Sequence, residues 1–497
     1  MLKKSIKMKT NKNHLIKRFA RNISFLGIIT AIIFTSCKQD ILDTVPQTKI
    51  ADTEAFTTPA QFVSQLNGLY SSIKAGALYG GGYLIWSELR GEEFLNGSQN
   101  TGDGAAIYNQ NALASADQIS GLWSAGYSTI NNVNIFIEKA TSTTVINDAT
   151  KKSHIAEAKF LRALSYFSLV QFYSRPYIEG NGAARGLPLR LTGITSLVNG
   201  DLAASTVAQV YDQIIKDLNE AEADLPESQT PATLNATRAH KATAIALKTR
   251  VYLVKQEWAK VVTEASKIVN ASFQYAGTGV SHKLEANIAT VFGGSYTGSE
   301  AVLFFPFNAT DAPGGQRALA YYYTRFKYVT LNPAGLPTSD ASVFNNAQDA
   351  RSIAAGKILI KSGTQIVLNK FPTTAIFTDY VPAIRYAEVL LNYAEAAART
   401  NDLTTAANLL KTVRTRSNPT FVFDPADITT QDALIKTILK ERRIELLGEG
   451  FRVLDINRLL GTIPAKGSIP AVSPTDNGYI WPLPSSELAT NSLLIDK

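Results

Sequence analysis

The chain has 497 residues, of which 45% are hydrophobic and 9% are aromatic, as is usual for a globular protein with a large core. It carries 49 Lys and Arg against 41 Asp and Glu, a net charge of +8. Eight of those cations and no acid fall within residues 1–22, so the remainder has 41 charges of each sign. The excess of positive charge therefore belongs to the first segment, and the balanced body excludes a basic nucleic-acid-binding protein.

Residues 1–36 have the features of an export signal. A basic head precedes an apolar run at 23–34 and the small residues Thr35 and Ser36, which is the order found in secretory signal peptides. The apolar run has about 12 residues, whereas a membrane-spanning helix needs about 20. We therefore expect the segment to be removed on export.

Position 37 holds the single cysteine of the chain, so no disulfide can form within it. The preceding residues Phe-Thr-Ser resemble the lipobox of bacterial lipoproteins, in which the cysteine is acylated and becomes the new N-terminus. That resemblance implies that Cys37 carries the lipid anchor, because several acyl chains hold a protein stably at a membrane. Residues 37–50 are then a short polar tether.

Helical periodicity organises the body of the chain. Apolar residues recur at three- and four-residue spacing, which predicts amphipathic helices, and Thr206 and Thr430 provide start signals for two of them. The predicted helices cover residues 58–74, 117–140, 151–173, 205–224, 237–254, 257–270, 382–399, 404–417 and 431–448. Short turns join some of them into hairpins, which is the pattern of tetratricopeptide repeats. The predicted fold is mainly α, with tetratricopeptide-like hairpins in a right-handed superhelical frame, long loop insertions and minor β structure.

Two stretches interrupt the helical pattern. Residues 79–116 are rich in Gly, Asn and aromatic residues, and residues 271–381 are rich in Gly and Pro, with short β-like pieces at 301–305 and 365–368. Long loops inside a compact body are more often functional than idle. The predicted division is an N-terminal helical region at 51–270, a loop-rich insertion at 271–381 and a C-terminal helical region at 382–497.

Four motifs, in order along the chain, resemble those of one family. Residues 156–170 read AEAKFLRALSYFSLV, residues 384–396 read IRYAEVLLNYAEA, residues 441–458 read ERRIELLGEGFRVLDINR and residues 481–491 read WPLPSSELATN. Together with the lipobox they are similar to the SusD/RagB family of outer-membrane nutrient-binding lipoproteins, and the similarity covers essentially the whole chain.

The resemblance implies a lipoprotein of the outer membrane that faces the exterior of the cell. Members of the family act as a lid on a SusC-like TonB-dependent transporter and capture a nutrient for import, most often an oligosaccharide and sometimes a peptide. The resemblance implies no cofactor and no metal.

The charged residues of these motifs are expected to form salt bridges. Glu441, Glu445 and Glu449 recur every four residues and could imitate the carboxylate pair of a glycosidase. Neighbouring arginines are expected to keep them ionised and so to lower their pKa values, which is unsuitable for a general acid. The residues assigned a structural role are Glu157, Arg162, Arg385, Glu388, Glu395, Glu441, Arg442, Arg443, Glu445, Glu449, Arg452, Asp455 and Arg458.

Catalytic motifs are missing from the sequence. The histidines of the body, His154, His240 and His282, are far apart along the chain and lack metal-ligand spacing. Neither a nucleophile elbow nor a phosphate-binding loop is present. We therefore predict no enzymatic activity, no catalytic residue and no metal site, and a hydrolase that uses only carboxylates stays open as an alternative.

The two insertions supply the candidate ligand-binding residues. Sugars present flat apolar faces ringed by hydroxyl groups, so their sites combine aromatic rings with amides and charged groups. Three consecutive tyrosines cannot all face the same way in an extended chain, so at least one is expected to be exposed. The candidates are Trp86, Asn96, Asn100, Asp103 and Tyr108 in the first insertion, and Tyr296, Tyr321, Tyr322, Tyr323 and Phe326, with Arg325 and Tyr328 beside them, in the second.

Two functions from different classes follow. The first is a partner of an outer-membrane transporter that captures an oligosaccharide, or alternatively a peptide. The second is a surface adaptor that uses its helical groove for protein partners alone, as repeat arrays often do. The alternative for each aromatic ring is that it only packs its loop onto the helical frame.

Overall fold

The computed structural model of the chain describes residues 55–196 and 200–495. The predicted signal peptide at 1–36, the acylated Cys37 and the tether to residue 50 lie outside the described residues. In the described part helices dominate and strands are few and short, which confirms the mainly α prediction. None of the helices described there is long and apolar enough to cross a membrane.

The helices of the first half pack on one another largely in chain order. They are α1 (Pro59–Ile73), α2 (Gly82–Arg90), α3 (Ala105–Tyr108), α4 (Asp117–Ser142), α5 (Asp148–Tyr173), α6 (Val207–Asp224), α7 (Lys241–Val254) and α8 (Trp258–Ala265). Helix α4 packs on α1 and α5, α5 on α6, α6 on α7, and α7 on α8. Each helix buries its apolar face on the next, as in stacked helical hairpins. The right-handed path of the superhelix stays a prediction.

Two of these helices differ from the sequence prediction. Helix α2 lies in a stretch predicted to be irregular, and all nine of its residues are buried. With nine residues it is shorter than the window of about 11–18 residues over which helical periodicity is read, so the sequence pattern does not reveal it. Helix α8 ends at Ala265, short of the predicted residue 270.

The second insertion contributes short helices and antiparallel strand pairs. Its elements, with the one strand of the first insertion, are β1 (Phe94–Asn96), α9 (Ile288–Gly293), β2 (Ala301–Phe305), β3 (Val329–Leu331), α10 (Leu336–Ser339), α11 (Ala341–Phe344), β4 (Leu359–Ser362), β5 (Gln365–Leu368) and β6 (Val381–Arg385). The predicted strands at 301–305 and 365–368 are confirmed. Strand β6 corrects a prediction, because residues 382–385 were assigned to a helix and instead pair with β2.

The C-terminal region returns to helix. Its elements are α12 (Tyr386–Arg399), α13 (Leu403–Ser417), α14 (Pro425–Ile428), α15 (Gln431–Glu445), α16 (Arg452–Arg458) and α17 (Ser485–Thr490). Helix α12 packs on α13, α15 and the earlier α8. Helix α15 ends before the predicted residue 448, since Gly448 and Gly450 follow with positive φ angles of 79° and 84°. Residues Thr58–Lys497 form one compact unit, and the boundaries proposed at 270 and 381 fall inside it.

One strand pair joins the two insertions that the sequence indicated as functional. Strand β1 of the first insertion pairs antiparallel with β3 of the second, with Phe94 opposite Leu331 and Asn96 opposite Val329. The loops that follow β1 and precede β3 therefore meet at the same end of this pair.

Candidate functional site

Four aromatic rings gather where the two insertions meet. We call Tyr321, Phe326, Tyr328 and Phe377 the aromatic surface. The rings of Phe326 and Tyr328 stack with centroids 5.4 Å apart and planes 13° apart. Tyr321 lies 4.7 Å from Phe326 and 6.1 Å from Phe377. Phe326 is 44% exposed and the other three rings are half-buried, so the surface presents aromatic rings to solvent.

The backbone under this surface is unusual. Tyr321–Arg325 forms a short π-helix, a conformation that is rare and is frequently found at functional sites. Lys327, which lies between Phe326 and Tyr328 in the sequence, has a φ angle of 55°, and Phe377 has a φ angle of 53°. Residues with a Cβ rarely adopt such angles, and those that do often lie at ligand sites. Thr324 secures the segment, because its hydroxyl donates to the carbonyl oxygen of Phe371 at 2.6 Å.

A buried carboxylate holds the aromatic surface against the first insertion. Asp103 accepts hydrogen bonds from the Ser98 hydroxyl at 2.7 Å, from Gln316 Nε2 at 2.8 Å and from the Tyr321 hydroxyl at 3.2 Å. Desolvation and the neighbouring Asp103 raise the pKa of Tyr321, so its hydroxyl stays a donor. Asp103 was predicted to contact the ligand, but its oxygens are already occupied. It positions Tyr321 instead.

The other polar candidates of the first insertion differ in exposure. Asn100 is exposed and its Oδ1 caps the turn at Gly102 N, at 2.9 Å. Asn96 is buried and its Oδ1 accepts the amide of Ser98 at 2.9 Å. Tyr108 is half-buried, with Nζ of Lys466 4.5 Å from its ring centre. Asn100 is therefore the residue of this group best placed to meet a ligand beside the aromatic surface.

Three predicted ligand rings belong to the core. Trp86 has no exposed surface and packs against Trp481 with centroids 6.0 Å apart. Tyr322 and Tyr323 are likewise buried, and Tyr323 stacks on Phe371 at 6.0 Å. The prediction that these rings contact a ligand is wrong for this structure, because all three residues are fully buried. Of the three consecutive tyrosines, only Tyr321 reaches the surface.

Tyr296 lies in a separate group of rings. It is 37% exposed and its ring is 6.3 Å from that of Tyr380, which stacks on Phe304 at 5.5 Å. Its role in binding stays a prediction. Phe377 belongs to the aromatic surface but was not among the predicted residues, since it lies about 50 residues along the chain from the other three rings.

The acids of the third motif are buried in a network of ion pairs. Glu441 and Glu445 lie on α15, whereas Glu449 lies beyond its end. Burial alone would raise the pKa of Glu445, but three guanidinium groups lower it to about 2. The cations in contact with the three acids are Arg351, Arg385, Arg414, Arg416 and Lys370.

The expected partners of these acids were wrong. Arg442 pairs with Asp455 at 3.1 Å, while Arg443 and Arg452 contact Glu92 at 3.1 and 2.5 Å. These arginines lie beside the acids in sequence but point away from them, because consecutive residues of a helix face different directions. The acids of the motif are instead paired with Lys370 and with arginines from distant segments.

The remaining motif charges also form buried pairs between elements. Arg162 joins α5 to α6, Glu388 joins α12 to α7, and Glu395 joins α12 to α16. The pairs are Glu157 with Arg238, Arg162 with Asp217, Glu388 with Arg250, and Glu395 with Arg458, at 2.7, 2.7, 2.6 and 2.6 Å. This geometry supports the structural role proposed for them.

Two histidines that are distant in sequence meet in the core. The rings of His240 and His282 stack with centroids 5.3 Å apart, beside Tyr275 and Tyr386. Burial lowers the pKa of His240 to about 3 and that of His282 to about 4, so both are neutral at pH 7. Within residues 55–196 and 200–495, no group of three or more His, Cys, Asp or Glu side chains is arranged to hold a metal ion.

Comparisons with known proteins agree on one family. A family model described as the SusD family matches residues 345–466, and a model described as "Starch-binding associating with outer membrane" matches residues 53–253. The chain is 24% identical to SusD-like protein P38 of Formosa agariphila over 96% of this chain and 99% of that protein. It is 26% identical to SusD-like protein P2 of the same organism, over 95% and 98%.

Solved structures give the same result. A putative sugar binding protein from Bacteroides vulgatus superposes with a TM-score of 0.74 at 22% identity, over 89% of this chain and 99% of that chain. A SusD superfamily protein from Bacteroides fragilis superposes with a TM-score of 0.80 at 31% identity, over 88% of this chain and 99% of that chain. With that identity over nearly the whole of a solved relative, this chain belongs to the SusD family.

Proposed function

We propose that this protein captures an oligosaccharide on its aromatic surface and delivers it to a SusC-like TonB-dependent transporter of the outer membrane. The observation that carries the proposal is the exposed group of aromatic rings at the junction of the two insertions, with Phe326 44% exposed. The family model that matches residues 53–253 is described as "Starch-binding associating with outer membrane", which supports a carbohydrate ligand.

The chemistry of this surface suits a sugar ring. The C–H face of a pyranose packs on an aromatic face and removes apolar area from water, at about 25 cal/mol per Å². Arg325 is exposed, with its guanidinium carbon 5.3 Å from the Phe326 ring centre, and Asn100 is exposed at the adjacent loop. A guanidinium donates hydrogen bonds and an amide both donates and accepts them, so hydroxyl groups at the ring edge would find partners.

The proposal assigns binding without a catalytic step. Asp103, the carboxylate that touches the aromatic surface, accepts three protein hydrogen bonds. Asp379, two residues after Phe377, accepts the amide of Thr373 with both oxygens, at 3.0 and 3.1 Å. A general acid and base need groups that can reach a substrate proton. Carboxylates already engaged in this way hold loops in position.

The anchoring and the delivery step belong to the same proposal. Acylated Cys37 would fix the protein to outer-membrane lipid, with the residues up to 50 as a tether and the body facing the exterior. The transporter partner would receive the glycan directly from the aromatic surface. Neither a cofactor nor a nucleic acid takes part.

The experiment is isothermal titration calorimetry of the lipid-free protein, beginning at Lys38, against panels of neutral oligosaccharides and of peptides. We expect saturable binding to one glycan class and a loss of at least about tenfold in affinity, or 1.4 kcal/mol, for Phe326→Ala. Val422→Ala is the matched control, because it removes an apolar side chain that is 84% exposed elsewhere.

Other outcomes would reject the proposal in different ways. Peptide binding that depends on Phe326, with no glycan binding, would replace the oligosaccharide with a peptide cargo. Glycan binding that is unchanged in Phe326→Ala would remove the aromatic surface as the site. A folded protein that binds neither panel would favour the adaptor function.

A further inference from the structure

A cleft of 590 Å³ opens close to the aromatic surface. Five segments form it: the end of β1 with the loop after it, the end of α3, strand β3 with Pro333, the turn between β4 and β5, and the turn at residues 467–469. We call it the amide cleft, after the polar side chains among its walls. The polar and aromatic residues that define it are Asn96, Gln99, Tyr108, Asn109, Gln365 and Ser468.

The walls of the amide cleft are polar but uncharged, since none of its lining residues is Asp, Glu, Lys, Arg or His. The side chains of Gln99, Asn109 and Gln365 are exposed and form no hydrogen bond with the part of the chain that the structure describes. Each primary amide offers two donor hydrogens and one acceptor oxygen. The cleft therefore presents free donors and free acceptors together, without a charge to select an ion.

One aromatic ring is fixed among these amides. Tyr108 is half-buried, and Nζ of the buried Lys466 lies 4.5 Å from its ring centre. Burial lowers the pKa of Lys466 to about 7, and its amine is held because it donates to the carbonyl oxygen of Gly91 at 2.8 Å and to that of Leu89. The charged form of this amine is attracted by the ring electrons. The ring is thus held in place as a rigid part of the wall.

The amide cleft is adjacent to the aromatic surface across the β1–β3 pair. Gly97 lines the cleft, and its amide donates to the carbonyl oxygen of Tyr328 at 2.8 Å. Tyr328 is one of the four rings of the aromatic surface. Since paired strands lie only about 4.8 Å apart, the two sites are neighbours on the protein.

A second, larger cavity has different chemistry. It measures 710 Å³ and its walls include Arg175, Glu179, Arg185 and Asp476. Arg175 and Glu179 in its wall are paired with each other at 2.6 Å, so these charges are already engaged within the protein. The exposed amides of the amide cleft have no such partner among the described residues, so this cleft is the better match for hydroxyl groups.

We propose that the amide cleft is a second subsite for the same ligand, which holds a neutral sugar residue further along an oligosaccharide whose other end lies on the aromatic surface. This inference rests on the proposed function. It adds that the ligand is neutral where it enters the cleft, and that the protein prefers chains long enough to reach both sites.

The test uses purified full-length protein in detergent and a series of one neutral glycan class, from disaccharide to octasaccharide, measured by calorimetry. We expect the Kd to fall with chain length until both sites are filled. The double variant Gln99→Ala/Gln365→Ala should bind the long chains about tenfold more weakly, which corresponds to the loss of two hydrogen bonds of about 0.7 kcal/mol each. Its affinity for the disaccharide should equal that of the wild type. Gln348→Ala, an exposed glutamine elsewhere, is the matched control.

The outcomes separate this inference from the proposed function. Phe326→Ala should weaken binding of short and long chains alike, whereas the double variant should affect long chains only. Binding that needs Phe326 but ignores both chain length and the double variant would overturn the second subsite and leave the proposed function intact. A wild-type protein that binds no neutral oligosaccharide of any length would overturn both.

Discussion

The ion-pair network around Glu445 gives a direct test of whether the motif acids are structural. Glu445 is fully buried and contacts Arg351 at 3.1 Å, Arg385 at 3.2 Å and Arg416. In Glu445→Gln the side-chain shape is kept and the charge is lost, so three buried guanidinium groups lose a shared counter-ion. Removing one partner of a buried ion pair typically costs about 3–5 kcal/mol.

The pKa of Glu445 gives a second value for the stabilisation by these ion pairs and the direction in which it changes with pH. Burial would raise it, but the surrounding arginines lower it from 4.5 to about 2, and a difference of about 2.5 units corresponds to roughly 3 kcal/mol. Because the folded-state pKa lies below the unfolded one, the unfolded chain binds the proton first as the pH falls. The stabilisation is therefore present above about pH 4.5, falls to less than half at pH 3 and is lost as the pH drops through about 2.

The assay is urea unfolding followed by circular dichroism, for the wild type and Glu445→Gln at pH 7 and at pH 3. We expect the free energy of unfolding of Glu445→Gln to be lower than that of the wild type by roughly 3 kcal/mol at pH 7 and by less than half of that at pH 3. Glu220→Gln is the control, because Glu220 is 40% exposed in its pair with Lys159 and such surface pairs contribute about 0–1 kcal/mol. A loss no larger than in this control, or one that does not depend on pH, would refute the reasoning.

Three further predictions concern other parts of the structure. Tyr321→Phe keeps the ring but removes its hydrogen bond to Asp103, so calorimetry should give a glycan Kd about threefold to tenfold higher. Tyr323→Phe should leave the glycan Kd unchanged, because the hydroxyl of Tyr323 lacks a hydrogen-bond partner among the described residues. Gly448→Ala should lower the free energy of unfolding by about 3 kcal/mol in urea, because the added Cβ would lie 2.1 Å from a leucine side chain at a φ of 79°. Gly356→Ala should lower the free energy of unfolding by only about 1 kcal/mol, because Gly356 has a φ of 63° and an added Cβ would meet no atom within 4 Å. In the same assay, lowering the pH from 7 to 5 should reduce the free energy of unfolding of the wild type by about 2 kcal/mol more than that of His282→Phe. The buried histidine has a pKa of about 4, so the unfolded chain takes up the proton first as the pH falls below 6.5. An unchanged difference between the two pH values would show that His282 is not the group concerned.

The helices show where sequence reasoning succeeds. Helices α4 and α5 begin and end close to the predicted residues, because each has 26 residues, long enough for apolar residues to recur at helical spacing over several turns. Helix α2 was missed because its nine residues are too few to show that recurrence. Residues 382–385 formed a strand because a partner, β2, was available from a distant part of the chain.

The candidate site shows where sequence reasoning stops. The two insertions and their aromatic content could be identified, and the structure brings them together through β1 and β3. Which ring is exposed could not be read from composition, since Trp86 and Phe326 are both large aromatic residues in irregular sequence. One is fully buried and the other is 44% exposed. Exposure depends on what packs against a ring, and those neighbours come from elsewhere in the chain.

The sequence by itself determined the family, the mainly α fold and the helices with a polar face, because motif residues and helical periodicity are local properties. The tertiary structure decided which tyrosine of Tyr321, Tyr322 and Tyr323 faces solvent, which arginines neutralise Glu445, and that His240 meets His282. It also turned Asp103 from a ligand contact into a residue that positions Tyr321. These outcomes depend on contacts between residues far apart in the chain, and such contacts exist only after the core has packed.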